Sequence, residues 1–320
     1  MNPIGGHTGG LSPDAVQTAV DAIMYEEYSR EQQPAYLSAN DGFFFNQGPT
    51  VGRAFIWDED GNVGNFEETG EQAEIQNTDS RAGNQTTKLS RKWTKQVPIS
   101  DEAFRADLHG KREKLGKQIG DRARQSQDSN TILDTYGDAF AEAVHSTPDA
   151  EPLASNSHVT IQGTTVDNLE TGSLTPDNLW TATVSLANQR AQDADAGSHV
   201  FEGLVVPFTL YRTAKEVLNS TLIPNSAENN LNVFDTDYGF VALKASIFLG
   251  STYNGAANAN TSYHLISRNH MIQRKVFYGL TTTLIRPEQT ANDTYAIRAK
   301  FHETAFPGSW TGYVGSNGSV

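Results

Sequence analysis

The stretch WTKQVPISDEAF, residues 93–104, joins two kinds of structure. Trp93 and Val97 stand among polar neighbours, as in a half-buried strand. Ser100 then occupies the place of a helix N-cap, and Asp101 and Glu102 suit the positive end of a helix dipole. Phe104, Leu108, Leu115 and Ile119 continue as one narrow apolar stripe, which predicts the longest helix of the chain from Ser100 onward. Its other faces carry Arg105, Lys111, Arg112, Lys114, Lys117, Arg122 and Arg124. A basic face of this kind can meet nucleic acid, but a solvated helix face explains it more simply.

Upstream of this junction the chain reads as an extended arm over about residues 50–97. Ala54–Trp57 has strand character, and Asp60-Gly61-Asn62 is a turn signal. Asp58, Glu59, Asp60, Glu67, Glu68, Glu71 and Glu74 make the first limb acidic, with no Lys or Arg among them. Arg81, Lys88, Arg91, Lys92 and Lys95 make the second limb basic, punctuated by Leu89, Trp93 and Val97. So few apolar residues cannot form a core, and a free two-stranded ribbon is only marginally stable in water. The arm therefore has to lie on something. One reading is an acidic loop beside an ordinary strand. The other is an arm laid across a second copy, where opposite charges set register and steer encounter. On that reading the contact residues are Glu67, Glu68 and Glu71 on one limb, and Lys88, Arg91, Lys92 and Trp93 on the other.

The rest of the chain mixes helices and strands. Ser12-Pro13-Asp14 opens a helix with Val16, Val20, Ile23 and Met24 on one face, running to about Arg30. Phe43-Phe44-Phe45 is an apolar knot that belongs in a core. A second helix is expected from Asn130 or Thr131, through Ile132, Tyr136, Phe140 and Val144, ended by Pro148. Thr175-Pro176-Asp177 starts another, and Leu210–Leu218 a further one. Strands are expected at 158–161, 164–166, 200–207, 240–249, 263–267, 275–284, 295–303 and 310–314. No βαβ regularity orders them, so the class is α+β.

Composition narrows the function. Of 320 residues, 37% are hydrophobic and 19% charged, which supports a real core. A net charge of −14 disfavours direct binding of nucleic acid, since phosphate contact requires cations that displace counterions. It suits either plain solubility or a wall that encloses nucleic acid without holding it. With no cysteine, disulfides, thiolate catalysis and Cys-ligated zinc are excluded. No run approaches the ~18 apolar residues that a membrane span needs. There is no nucleophile elbow, phosphate-binding loop or paired-histidine metal motif. His264 and His270 are only a weak pair, and Asp235 and Asp237 fit turn chemistry better than a calcium site. No cofactor, metal or catalytic residue is expected.

The order of these elements resembles the major capsid protein of tailed bacteriophages, with the HK97-type fold. Residues 93–104 resemble that family's passage from extended loop into spine helix. The stretch GLVVPFTLYRTAKEVL, residues 203–218, resembles its strand–Pro–helix segment, followed by the Asn/Pro-rich loop Asn219–Asn232. The ending WTGYVGSNG, residues 310–318, is also in its manner. The resemblance implies an N-terminal arm (1–44), an extended E-loop hairpin (45–97) and a peripheral P-domain with a long spine helix (98–174). An axial A-domain (175–285) and a return to the P-domain (286–320) follow. It implies a head protein that assembles as pentamers and hexamers into an icosahedral shell around double-stranded DNA. The short stretch before the first helix favours a separate scaffolding protein, and a portal and a decoration protein are further implied partners. An encapsulin-like protein compartment shares the fold. An unrelated alternative is a soluble α+β hydrolase or carbohydrate-binding protein.

Overall fold

The computed structural model describes residues 13–30, 33–49, 52–61, 82–100, 110–141, 144–193, 195–224, 230–256, 258–286 and 294–319. Helix α1 (Pro13–Tyr28) is followed by strands β1 (Asn46–Pro49), β2 (Ala54–Asp60), β3 (Ala82–Leu89) and β4 (Arg91–Ile99). Helix α2 (Lys111–Ile132) ends in a π turn, Leu133–Gly137. Short strands β5 (His158–Val159), β6 (Thr165–Val166) and β7 (Leu169–Glu170) lead to helix α3 (Pro176–Ala187). Strand β8 (Gly203–Pro207) feeds helix α4 (Tyr211–Asn219) through one 3-10 turn, and the short helix α5 (Val233–Asp237) follows. Strands β9 (Ala242–Ser246), β10 (Tyr263–Ile266), β11 (Ile272–Ile285), β12 (Tyr295–Pro307) and β13 (Tyr313–Ser316) complete the chain. The chain divides into two compact units. The smaller takes Met1–Gln32, Ser90–Asp128 and Val276–Glu303. The larger takes Gln33–Leu89, Ser129–Lys275 and Thr304–Val320.

In the smaller unit β12 lies between β11 and β4. Its pairing with β4 runs antiparallel from Tyr295 opposite Ile99 to Glu303 opposite Arg91. Ile297, Ala299 and Phe301 alternate inward while Arg298 and Lys300 face water, the period-2 pattern of a half-buried strand. The inward face packs with Val20 and Met24 of α1 and Ile119 and Ala123 of α2. The helices approach closely because α2 presents Gly116 and Gly120 to the backbone of α1. A Cβ on Gly116 would lie 3.1 Å from the Val20 carbonyl oxygen, and one on Gly120 only 2.4 Å from that of Met24. Among the described residues β4 is the outer strand of its sheet, and its edge carries Lys92, Lys95 and Pro98.

The larger unit is built on a mixed five-stranded sheet in the order β7-β13-β10-β8-β9. β10 runs antiparallel to both β13 and β8, whereas β8–β9 and β13–β7 are parallel. Both faces are covered, so β8 is buried at all five positions and reads as a continuous apolar run. Leu204, Val206, Leu265 and Val314 face Leu179, Leu186, Val217 and Phe234 of α3, α4 and α5. Val205, Ile266 and Tyr313 face the other way, onto Phe44, Phe45, Tyr136 and Leu153. The Phe43–Phe45 knot is thus core, as expected. Two buried amides fix the last turn of the chain. Gln189 donates to the Tyr313 carbonyl (3.1 Å) and accepts from the Gly312 amide (2.8 Å). Asn168 donates to the Leu153 carbonyl (2.9 Å) and accepts from the Ser155 amide (2.8 Å). Gly312 itself adopts φ 73° against the backbone of His270, where a side chain would be strained.

The N-cap expected at Ser100 and the first turns after it concern residues 101–109, outside the described residues; the described helix α2 starts at Lys111. Two other expectations change. The second helix expected from Asn130 or Thr131 is the end of α2. No Gly or Pro interrupts the ladder there, and the polar run 125–131 is helical, with Gln127, Asp128 and Thr131 buried. The Thr135 hydroxyl then donates to the Thr131 carbonyl (2.7 Å) inside the π turn. The strand expected over 240–249 shortens to Ala242–Ser246 because turns take both ends. The helix at Pro176 forms as read, with the Thr175 hydroxyl accepting from the Asn178 amide.

Replacing Gly120 by Ala forces α1 from α2. Gly120→Ala is expected to cost about 1–3 kcal/mol, the usual range for overpacking, read as a lower denaturant midpoint. Ala at exposed Gln118, two residues from each glycine and so on another face of α2, should leave the midpoint unchanged.

Candidate subunit interface

The charge-divided arm is built as two separate pairings, not one ribbon. β2 and β3 pair with each other, Ala54 with Leu89, Ile56 with Thr87 and Asp58 with Gln85. Ser90 is buried, and the chain then enters β4, whose partner is β12. The register within the ribbon slips between Asp58 and Asp60. Alternation had marked Ala54–Trp57 as strand but could not show that Lys88 and Arg91, three residues apart, serve different sheets.

The β2–β3 ribbon has one seated face and one open face. On the seated face Phe55 lies 5.6 Å from Phe306 and 6.3 Å from Trp57, ring centre to ring centre. The Lys275 ammonium sits 5.1 Å from the centre of the Phe55 ring, a cation–π contact. Gly308 makes room for Trp57, since a Cβ there would come within 2.9 Å of the indole. The Lys88 ammonium donates to the Ser146 carbonyl (3.1 Å), and burial lowers its pKa. Glu59 is buried and accepts from the Gln192 side chain (3.1 Å). Its carboxyl is pushed up to about 7, first by burial and then by the charge of Asp149, against a lowering hydrogen bond with Ser309. The open face carries Ile56 and Leu89, each 57% exposed, with Asp58 and Thr87 beside them. The Gln85 amide donates to Asp58 across it (2.6 Å).

The smaller unit offers a groove of about 580 Å³ between α2 and its sheet. Phe301, Val97 and Leu280 form the floor and Ile119 lines the helix side, with Lys95 and Arg122 as its cations. No carboxylate lines it.

The residues expected at a subunit contact divide accordingly. Glu67, Glu68 and Glu71 lie outside the described residues. Lys88 is held within the larger unit by Ser146. Arg91 is half-buried, paired across the ladder with Glu303 and stacked 5.4 Å over Trp93, and burial lowers its pKa while Glu303 raises it. Trp93 stacks on Phe301 at 6.5 Å. Lys92 is exposed opposite His302. Ile56, and Leu89 as an outward residue, were not singled out from the sequence. Their signal is the alternation 55–57–59 inward, which leaves Ile56 facing out.

Among the described residues no group of three or more His, Asp or Glu side chains is placed to hold a metal ion. His264 shares a 2.7 Å hydrogen bond with the Tyr313 hydroxyl, and burial drives its pKa down to about 3. His270 is tied to the Phe43 carbonyl at 2.7 Å. The two rings considered as a metal pair thus have separate partners. Asp235 and Asp237 lie in the short helix α5.

No family model matches the chain, and no curated protein matches it. Solved structures do. The chain is similar to a virus-like particle from Pyrococcus furiosus, with a TM-score of 0.52 and 10% identity over 93% of this chain and 98% of that one. It is similar to the capsid of an empty GTA particle, with a TM-score of 0.58 and 8% identity over 91% and 92%. The capsid of Ralstonia phage GP4 gives 0.57 and 10% over 88% and 89%. At such identities the likeness establishes the fold, and it spans nearly the whole of each chain. The fold is the HK97-type α+β fold of shell proteins.

Removing the ring that seats the ribbon tests this geometry. Phe55→Ala is expected to lower the local stability of residues 54–60 and 82–89 by about 1–3 kcal/mol, below the 3–5 typical of a fully buried ring. Hydrogen exchange should show faster exchange in β2 and β3 and no change in β8 and β10.

Proposed function

We propose that this chain is a major capsid protein, a structural subunit that self-assembles into an icosahedral shell enclosing phage double-stranded DNA. The observation that carries this reading is the shared fold over about nine-tenths of the chain and of the GTA and phage GP4 capsid chains. The remaining features agree with a mechanical role. The β2–β3 ribbon is anchored on one face and open on the other, as an arm that reaches a neighbour needs to be. The segment 62–81 between its strands carries Glu67, Glu68, Glu71 and Glu74. It would lie as an E-loop over a neighbouring P-domain, where the groove with Lys95 and Arg122 offers opposite charge. At ~25 cal/mol per Å², about 400 Å² of apolar contact per arm gives at most ~10 kcal/mol gross, before ordering costs. Strength would come from summing many such contacts.

On this reading the copies form pentamers and hexamers, with 175–285 as the axial A-domain and α2 as the spine of the P-domain. A separate scaffolding protein, a portal and a decoration protein are the further partners, and assembly takes place in the host cytoplasm. The net charge of −14 suits a wall that releases its genome. A protein compartment built on the same fold is the second reading. The contents of the assembled particle separate the two: nuclease-protected DNA for a head, a protein cargo for a compartment.

Electron microscopy of the expressed chain, alone and with a candidate scaffolding protein, should show closed shells or capsomer rings. A monodisperse monomer under all these conditions would falsify the proposal. Deleting residues 62–81 should leave the unfolding midpoint of the monomer within error and abolish closed shells. Normal shells from that deletion would remove the arm from the mechanism.

A further inference from the structure

The β2–β3 ribbon holds a buried acid, next to its connecting segment, that the assembly reading does not use. Glu59 enters the larger unit beside the register slip of the ribbon, 5% exposed. Gly83 on the opposite strand makes that entry possible. A Cβ there would stand 2.6 Å from the Glu59 carbonyl oxygen, 2.8 Å from its Cβ and 2.8 Å from Ile161. Among the described residues, the groups that meet the carboxyl from the surrounding segments are neutral or negative. Gln192 donates to it, and its amide also reaches Ser309 (3.2 Å). Ser309 hydrogen-bonds it. Asp149 repels it and is itself paired with the buried His158 (2.8 Å), the Thr147 hydroxyl and the Val159 amide (3.3 Å). His158 is stacked on Trp310, and its Nδ1 meets Asp149 and not Glu59. A carboxylate in this position is desolvated, faces a second carboxylate and has no cation of its own among these partners. A neutral carboxyl fits the same place without either penalty.

We propose that Glu59 is a proton-operated latch, which holds the loop-side end of the β2–β3 ribbon on its own subunit when protonated and favours its release when ionised. The sign follows from linkage. An acid whose seated pKa lies above its free value binds the proton more tightly when seated. Seating is therefore favoured fully below the free value of 4.5 and weakens as pH rises to about 7, beyond which the loss is complete. The device lies in the ribbon that Phe55 and Trp57 also seat, so release lifts the element whose open face carries Ile56 and Leu89. The contacts are all within one copy. The inference stands or falls on a monomer, independently of whether copies form a shell.

Hydrogen exchange on the full chain, corrected for the intrinsic pH dependence of amide exchange, tests it. Between about pH 5.5 and about pH 8 the protection of β2 and β3 should fall on the order of 25-fold, while β8 and β10 keep theirs. Glu59→Gln should keep the ribbon equally protected at both values. Ribbon protection that does not change with pH in the wild type overturns the proposal, as does an unchanged pH response in Glu59→Gln. If that variant does not fold, as judged by β8 and β10, a carboxyl carbon NMR titration of the wild type replaces it. A Glu59 midpoint near the ordinary carboxylate value overturns the latch, and one raised towards neutrality supports it.

Discussion

The larger unit depends on a sheet covered on both faces. β8, β10 and β13 sit at its centre, and each sends alternate side chains into two different cores. A strand in this position cannot turn any residue to water, which is why Gly203–Pro207 is apolar throughout and why His264 must be neutral and hydrogen-bonded. The helices α3, α4 and α5 follow from this constraint, since they close one face. Phe44, Phe45 and Tyr136 close the other, and the buried amides of Asn168 and Gln189 hold the final turn that returns β13 to the middle. In the smaller unit a sheet packed on one side tolerates alternation, and the exposed Arg298 and Lys300 of β12 reflect that difference.

Much of this was legible from residue pattern. The caps and apolar spacing gave α3, the all-apolar run gave β8, and the aromatic triplet 43–45 gave a core anchor. The order of segments around 93–104 and 203–218 gave the fold, which agrees with shell proteins at identities of only 8–10%. What escaped was what depends on partners distant in sequence. The ribbon and β4 look alike as polar alternating strands, and only pairing with β12 separates them at Ser90. Gly116 and Gly120 carry no signal within α2, because their use lies in the backbone of α1. The continuation of α2 through 125–131 escaped for a similar reason. Its polar residues are buried by tertiary contact, against their local preference.

The candidate contact surface shows the same division between local and distant information. Charge pattern drew attention to Lys88, Arg91 and Trp93, yet their own unit already engages them. Lys88 is bound by a carbonyl, Arg91 lies against Glu303 and Trp93 stacks on Phe301. The residues left to water, Ile56 and Leu89, are apolar and were hidden among polar neighbours in the sequence.

The outer edge of β4 has a consequence of its own. Among the described residues no strand pairs with the outer edge of its nine residues, and such an edge would template the addition of another strand, a hazard that grows with the square of concentration for encounters between copies. Lys92 and Lys95 place charge along that edge, and Pro98 removes one donor from it. A protein proposed to be gathered in many copies into a closed surface would work at high local density, where two ammonium groups and one imino acid on this edge would disfavour polymerisation in the wrong direction.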